Sequence, residues 1–128
     1  MRILLITNDW LPKKGGISTY LVNLVDSVDH DFVIYAPKWA QGENTISASS
    51  EFFVNSKATV NEITEIVHTE NIDIILHGSS NPQFLLVNKL DQISNPNNAK
   101  NIKIPQYMIC HGAEFNILNY IPVVRRLL

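Results

Sequence analysis

An open parallel β-sheet with helices on both faces, a Rossmann-like α/β domain, is the architecture this chain's patterning predicts. Three observations point to it. Short apolar runs alternate with stretches of helical spacing; the runs are continuous and rich in β-branched or aromatic residues; and 128 residues suffice for one hydrophobic core.

Ile3-Leu4-Leu5-Ile6 is the first run, and its lack of one-sided alternation marks a strand buried on both faces. Ile17, Tyr20, Leu21, Leu24, Val25 and Val28 then recur at intervals of three and four, the apolar stripe of a helix. Phe32-Val33-Ile34-Tyr35 is the second strand. Between Pro37 and Ser56 the pattern lapses, and Ile46 and Phe52-Phe53-Val54 are candidates for short strands. Val60, Ile63, Ile66 and Val67 form the next helical stripe, followed by a strand over Ile72-Asp73-Ile74-Ile75-Leu76. Phe84, Leu85, Val87 and Leu90 continue helical spacing after Pro82, a good helix opener. Asn95 to Asn101 reads as a solvated, mobile loop, and Tyr107-Met108-Ile109-Cys110 as the last strand. Repeated strand-then-helix order requires right-handed crossovers and hence a parallel sheet. From Phe115 to Leu128 the chain is strongly apolar without a polar cap or glycine stop, which predicts a helix that needs more protein against it and a chain that is a fragment.

Composition narrows the function. One core leaves no room for a complete two-domain cleft. Net charge is −2, so a nucleic-acid binder that works by neutralising phosphates is not expected. The single cysteine, Cys110, cannot form an intramolecular disulfide and fits a reducing compartment. The first apolar run is too short for a signal peptide, and no stretch reaches the roughly 20 apolar residues that span a bilayer. A soluble, cytoplasmic protein is expected.

Ligands of open parallel sheets bind at the strands' carboxyl ends, so the residues after each strand form the candidate site: Thr7-Asn8-Asp9, Pro37-Lys38, His77 to Asn81, and His111-Gly112-Ala113-Glu114. Strand ends face water and recruit polar turn residues in any case, so each cluster alone has two readings. The most specific stretch runs from Asn8 to Tyr20. A basic, proline-containing loop leads through Gly15-Gly16 directly into a helix, whose first N–H groups are open to an anion that glycine lets approach. A simple tight turn is the competing reading. The dinucleotide fingerprint, the P-loop and G-x-S-x-G are absent. His111 is expected at the sheet's rim; His77 takes the equivalent place on the neighbouring run. His30 and His68 read as surface residues. Cys110, His77, His111 and Glu114 match no zinc, H-E-x-x-H or EF-hand spacing, so no metal is expected.

Three motifs in order, Ile3 to Asp9, Pro12 to Leu21 with Gly15-Gly16-Ile17, and His111-Gly112-Ala113-Glu114, resemble the amino-terminal domain of retaining GT-B glycosyltransferases of family 4, particularly bacterial mannosyltransferase-like members. The resemblance extends to the apolar segment with Arg125-Arg126. It implies that residues 1–128 are the acceptor-side half of a fold of two Rossmann-like domains. The donor-binding carboxyl-terminal domain would be absent from this chain, leaving it inactive alone. It further implies hexose transfer from a nucleotide sugar to a glycan or lipid-linked acceptor, with retention and without a metal or other cofactor. Gly15, Gly16 and Ile17 would lie by the donor diphosphate, and His111 would act at the donor sugar. Asn8, Asp9, Glu114 and His77 are the candidates for acceptor or sugar contacts. Many relatives carry a histidine in the helix after the glycines; here Thr19-Tyr20 stand in that region, and that histidine's role is not carried over.

The alternative is a standalone, non-catalytic module that binds an anionic small molecule, or a partner protein through its terminal apolar helix, with self-association as a consequence. Arg125 and Arg126 also raise peripheral contact with the inner face of a membrane, to which two arginines contribute only about 2 kcal/mol.

Overall fold

The structure is a computed structural model, which describes residues 1–51, 56–79, 84–97 and 102–111. Their element order is β1 (Arg2–Ile6), α1 (Gly16–Ser27), β2 (Asp31–Ala36), β3 (Thr45–Ser47), α2 (Lys57–Thr69), β4 (Ile74–His77), α3 (Phe84–Leu90) and β5 (Gln106–Met108). The five strands form one sheet in the order β3-β2-β1-β4-β5, and every pairing between them is parallel. This is the open Rossmann-like sheet expected from the alternation of strand and helix.

Handedness assigns the layers. The chain steps from β1 through β2 to β3 in one direction, then returns past β1 to β4 and β5. Right-handed crossovers therefore place α1 on one face and α2 with α3 on the other. Burial agrees: Leu4, Ile6, Val33 and Ile75 pack with Ile63, Val67, Leu86 and Leu90. On the opposite face Ile3, Leu5, Phe32 and Ile34 pack with Leu21 and Trp10, flanked by Ile17, Val22 and Val25. Neighbouring strand residues thus serve different cores, which is why the runs are apolar at consecutive positions. Tyr35 is buried and ties β2 to α2, its hydroxyl donating to Glu62 Oε1 at 2.8 Å.

Local physics moved several boundaries. The apolar run begins at Ile72, but β4 begins at Ile74. Asn71, in the left-handed region at φ 52°, reverses the chain after α2, and Ile72 fills the core from that turn with its N–H on Val67 O at 3.0 Å. At the other end β5 stops at Met108. Ile46 lies in β3 as expected. The described part of the asparagine-rich loop is tied down: Asn95 N–H donates to Ile102 O at 2.7 Å, and Asn97 Nδ2 donates to Asp73 Oδ1 at 2.7 Å. Tyr20, placed by spacing in the apolar stripe of α1, is 49% exposed. The expected strand at Phe52-Phe53-Val54, the terminal apolar segment and Glu114 lie outside the described residues. Among the described residues no helix is long and apolar enough to cross a membrane.

Candidate functional site

Strand order reverses between β1 and β4, and a sheet of this topology opens a crevice at that point, beyond the strands' carboxyl ends. Backbone bonds gather those ends: Thr7 N–H donates to Tyr35 O at 3.1 Å, Gly78 N–H to Ile6 O at 2.9 Å, and Ile109 N–H to His77 O at 3.0 Å. After β1 the chain turns at once, because Thr7 Oγ1 accepts from Asp9 N–H at 2.9 Å. The following Leu11–Pro12 peptide is cis.

The loop then enters α1 through Gly15, the residue that caps the helix. Gly15 has no side chain to close the first turn, and its own N–H donates to Ser18 Oγ at 2.9 Å. The leading N–H groups of α1, on Gly16, Ile17 and Ser18, therefore lack a side-chain cap, and no acidic residue stands in the first turn. Neither glycine is demanded by the fold. Gly15 has φ −170°, extended backbone open to any residue, and a Cβ added at Gly15 or Gly16 would meet nothing within 4 Å. Asp9, Lys13, Lys14, Gly15, Gly16, Ile17 and Ser18 line a pocket of about 310 Å³ there. Lys13 Nζ sits 4.0 Å from the centroid of the Trp39 ring, so the loop after β2 closes against the basic loop after β1. A helix dipole, uncapped N–H groups and two lysines make this an anion-favouring corner, with one carboxylate, Asp9, at its side.

His111 comes to the same region from β5. Its Nε2 lies 2.8 Å from Gly78 O, and its ring meets that of Tyr20 edge-on, centroids 5.4 Å apart and planes at 89°. A carbonyl only accepts, so Nε2 carries the proton, and Nδ1 is the acceptor nitrogen of the neutral ring. Gly78 is required for the closeness of these elements: a Cβ there would stand 2.8 Å from Leu21 Cδ1 and 3.0 Å from Thr7 Cβ.

His77 is placed elsewhere. It is wholly buried on the α3 side of the sheet, its Nε2 bonded at 2.8 Å to Oε1 of Gln106, whose Nε2 donates to Val87 O at 3.0 Å. Since Val87 O needs a donor, the amide orientation is set and His77 Nε2 carries the proton; its buried Nδ1 has no hydrogen-bond partner among the described residues. Burial pulls its pKa down to about 4, against the Gln106 bond, which raises it. Asn8 is buried, at 7% exposure, while Asp9 is exposed beside the glycines. The structure thus brings together Asp9, the glycine loop, Tyr20, Gly78 and His111 at one end of the sheet, and sets His77 in the interior. Gln106 lies outside the stretches the sequence marks, and Tyr20 and Gly78 enter only as members of longer ones, with no role of their own. Gly78 carried a signal, a glycine directly after a buried strand; Tyr20 was concealed by its helical spacing.

A larger pocket, about 540 Å³, lies between α1 and β2 and includes Arg2, Asp31 and Phe32 at the strands' amino ends. It includes none of Asp9, Gly15, Gly16, Tyr20, Gly78 and His111, and chemistry rather than volume selects the carboxyl-end site. Among the described residues no three His, Cys, Asp or Glu side chains gather as a metal-binding group.

The fold and this rim define a class: a doubly wound α/β domain with an uncapped, glycine-led helix start at its topological switch point. Comparison with known proteins narrows it. The chain is 28% identical over 100 residues, 66% of its length, to the GDP-mannose-dependent alpha-(1-6)-phosphatidylinositol monomannoside mannosyltransferase of Mycobacterium tuberculosis (strain ATCC 25618 / H37Rv). It is 44% identical over 43 residues, 32% of its length, to the protein of that name from Mycolicibacterium smegmatis. It spans 26% and 11% of the lengths of these two relatives. No protein-family model matches the chain.

Proposed function

We propose that this chain is the amino-terminal, acceptor-side half of a glycosyltransferase, and more finely of a retaining GT-B enzyme of family 4. It would transfer a hexose from a nucleotide-sugar donor to a glycan or lipid-linked acceptor. Similarity to two mannosyltransferases supports the transferase reading, and mannose is the first sugar to test. The observation that carries it is the start of α1: two glycines that neither backbone angle nor packing demands leave the helix N–H groups, among the described residues, without a side-chain cap beside Lys13 and Lys14. Free space at those Cβ positions and the extended φ of Gly15 weigh against the tight-turn explanation.

In this reading the donor diphosphate lies against the N–H groups of Gly16 and Ile17. Negative charge grows on it as the bond to the anomeric carbon breaks, so a fixed array of donors and a helix dipole stabilise the transition state more than the bound donor. His111, with its proton on Nε2, offers Nδ1 to a hydroxyl of the donor sugar. Asp9 stands where an acceptor hydroxyl approaches. The donor-binding domain supplies the nucleotide pocket and the basic groups for the diphosphate, and no metal is needed. A cytoplasmic location, with peripheral contact to the membrane for a lipid-linked acceptor, completes the proposal.

Gly16→Ala is the test, in the chain joined to its donor-binding domain, with GDP-mannose as first probe. Alanine suits a helix better than glycine, by up to about 1 kcal/mol. Unchanged or raised thermal stability, at least a tenfold loss of sugar-nucleotide turnover, and no response to a chelator are expected. A folded protein that turns over no sugar nucleotide, or a Gly16→Ala variant with full turnover, would sink the reading.

A further inference from the structure

We propose that Tyr20 is a positioning residue for His111, and that together with the Gly78 carbonyl it commits the imidazole to accept a hydrogen bond from a ligand hydroxyl through Nδ1; the ligand side of this rests on the transferase reading. One hydrogen bond, Nε2–H to Gly78 O at 2.8 Å, puts the proton on Nε2 only while the ring stays on that carbonyl, and by itself it leaves a half-buried side chain free to swing off it. The Tyr20 ring removes the freedom. It stands at 89° to the imidazole with centroids 5.4 Å apart, a favoured aromatic geometry that a rotated imidazole loses. One turn of α1 links the two restraints. Leu21, the next residue, is wholly buried, and its Cδ1 lies 2.8 Å from where a side chain on Gly78 would begin. The contact that seats α1 on the end of β4 therefore also fixes the distance from Tyr20 to the carbonyl that holds His111.

This gives a physical reason for a half-exposed aromatic residue directly before the wholly buried Leu21. Tyr20 is 49% exposed because it faces the crevice rather than the core. A ring held with its proton on Nε2 is an acceptor at Nδ1 while neutral, suited to a sugar hydroxyl and unsuited to a phosphate oxygen, which offers no proton. Phosphate recognition then falls to the start of α1, and the two halves of a sugar diphosphate are read by different groups.

The experiment is ring-nitrogen NMR on the ¹⁵N-labelled full chain, with the His111 signals identified by their loss in His111→Gln. Wild type and Tyr20→Phe are expected to show the Nε2–H tautomer in the neutral ring. Tyr20→Ala is expected to lose that pattern for an average of both tautomers, with unchanged circular dichroism and melting temperature. A wild-type ring protonated on Nδ1, a Tyr20→Ala ring that keeps the wild-type pattern, or a Tyr20→Phe ring that averages would each overturn the proposal. The expected pattern in a protein that turns over no sugar nucleotide supports the positioning role and separates it from the transferase reading, which would then fail alone.

Discussion

His77 shows how one buried side chain sets a pH response for the fold. Its ring is neutral inside the sheet layer, donating to Gln106 through Nε2, while Nδ1 meets no partner among the described residues. A proton on Nδ1 would place a charge in a wholly buried position with no acceptor among the described residues, and burial accordingly lowers its pKa to about 4 from 6.5. Between those values the unfolded chain binds more protons than the folded one. Stability contributed by neutral His77 is therefore complete above pH 6.5, and is lost as pH falls toward 4. The loss over that window is on the order of 3 kcal/mol. Urea midpoints at pH 7 and pH 4.5 measure it. His77→Leu should flatten the slope between them, even though it orphans Gln106 Oε1 and lowers stability at both pH values. An unchanged slope in that variant would assign the acid response to other groups.

At the scale of elements the decisive joint is the end of β4 against α1 and the end of β1, where Gly78 lets three elements meet. Gly78→Ala drives a Cβ to 2.8 Å from Leu21 Cδ1 and 3.0 Å from Thr7 Cβ, both on buried residues. Overpacking of this kind costs roughly 1–3 kcal/mol. For a chain of this length that is a fall of several degrees in melting temperature, together with displacement of the carbonyl that holds His111. A melting temperature equal to wild type would mean that α1 shifts freely on the sheet. The elements themselves were legible from residues such as Ile3 to Ile6 and Ile63, Ile66 and Val67, because continuous runs and a three-and-four stripe are imprinted by burial. The glycine loop and His111 were legible for a similar reason, since strand ends mark the rim. What periodicity could not reveal was orientation. Tyr20 fits the α1 stripe by number yet faces the crevice, and His77 ends a strand yet points into the α3 layer, because side chains alternate along β4 and Gln106 from β5 waits on that side.

On the scale of the whole molecule, two apolar layers share a single sheet, and cooperativity depends on that sheet. Both tryptophans of the chain, Trp10 and Trp39, belong to the α1 face, whereas Ile63 is wholly buried against the other. Fluorescence thus reports one layer, while far-ultraviolet circular dichroism reports α1, α2 and α3 together. Ile63→Val removes one methyl group on the tryptophan-free face, at a cost of about 0.5–1.5 kcal/mol. Because Leu4 and Ile6 serve the Ile63 core while Ile3 and Leu5 serve the tryptophan core on the same strand, β1 cannot release one layer and keep the other. The fluorescence transition of Ile63→Val should therefore move to lower urea by the same amount as the dichroism transition. Leu21→Ala on the opposite face should shift both probes too, by about 2–5 kcal/mol, and the double variant should show the sum within about 0.5 kcal/mol, since the sheet separates the two sites. A fluorescence midpoint indifferent to Ile63→Val would mean that the layers unfold independently, and that the strand ends carrying Asp9, Gly78 and His111 are held together by less than the full core.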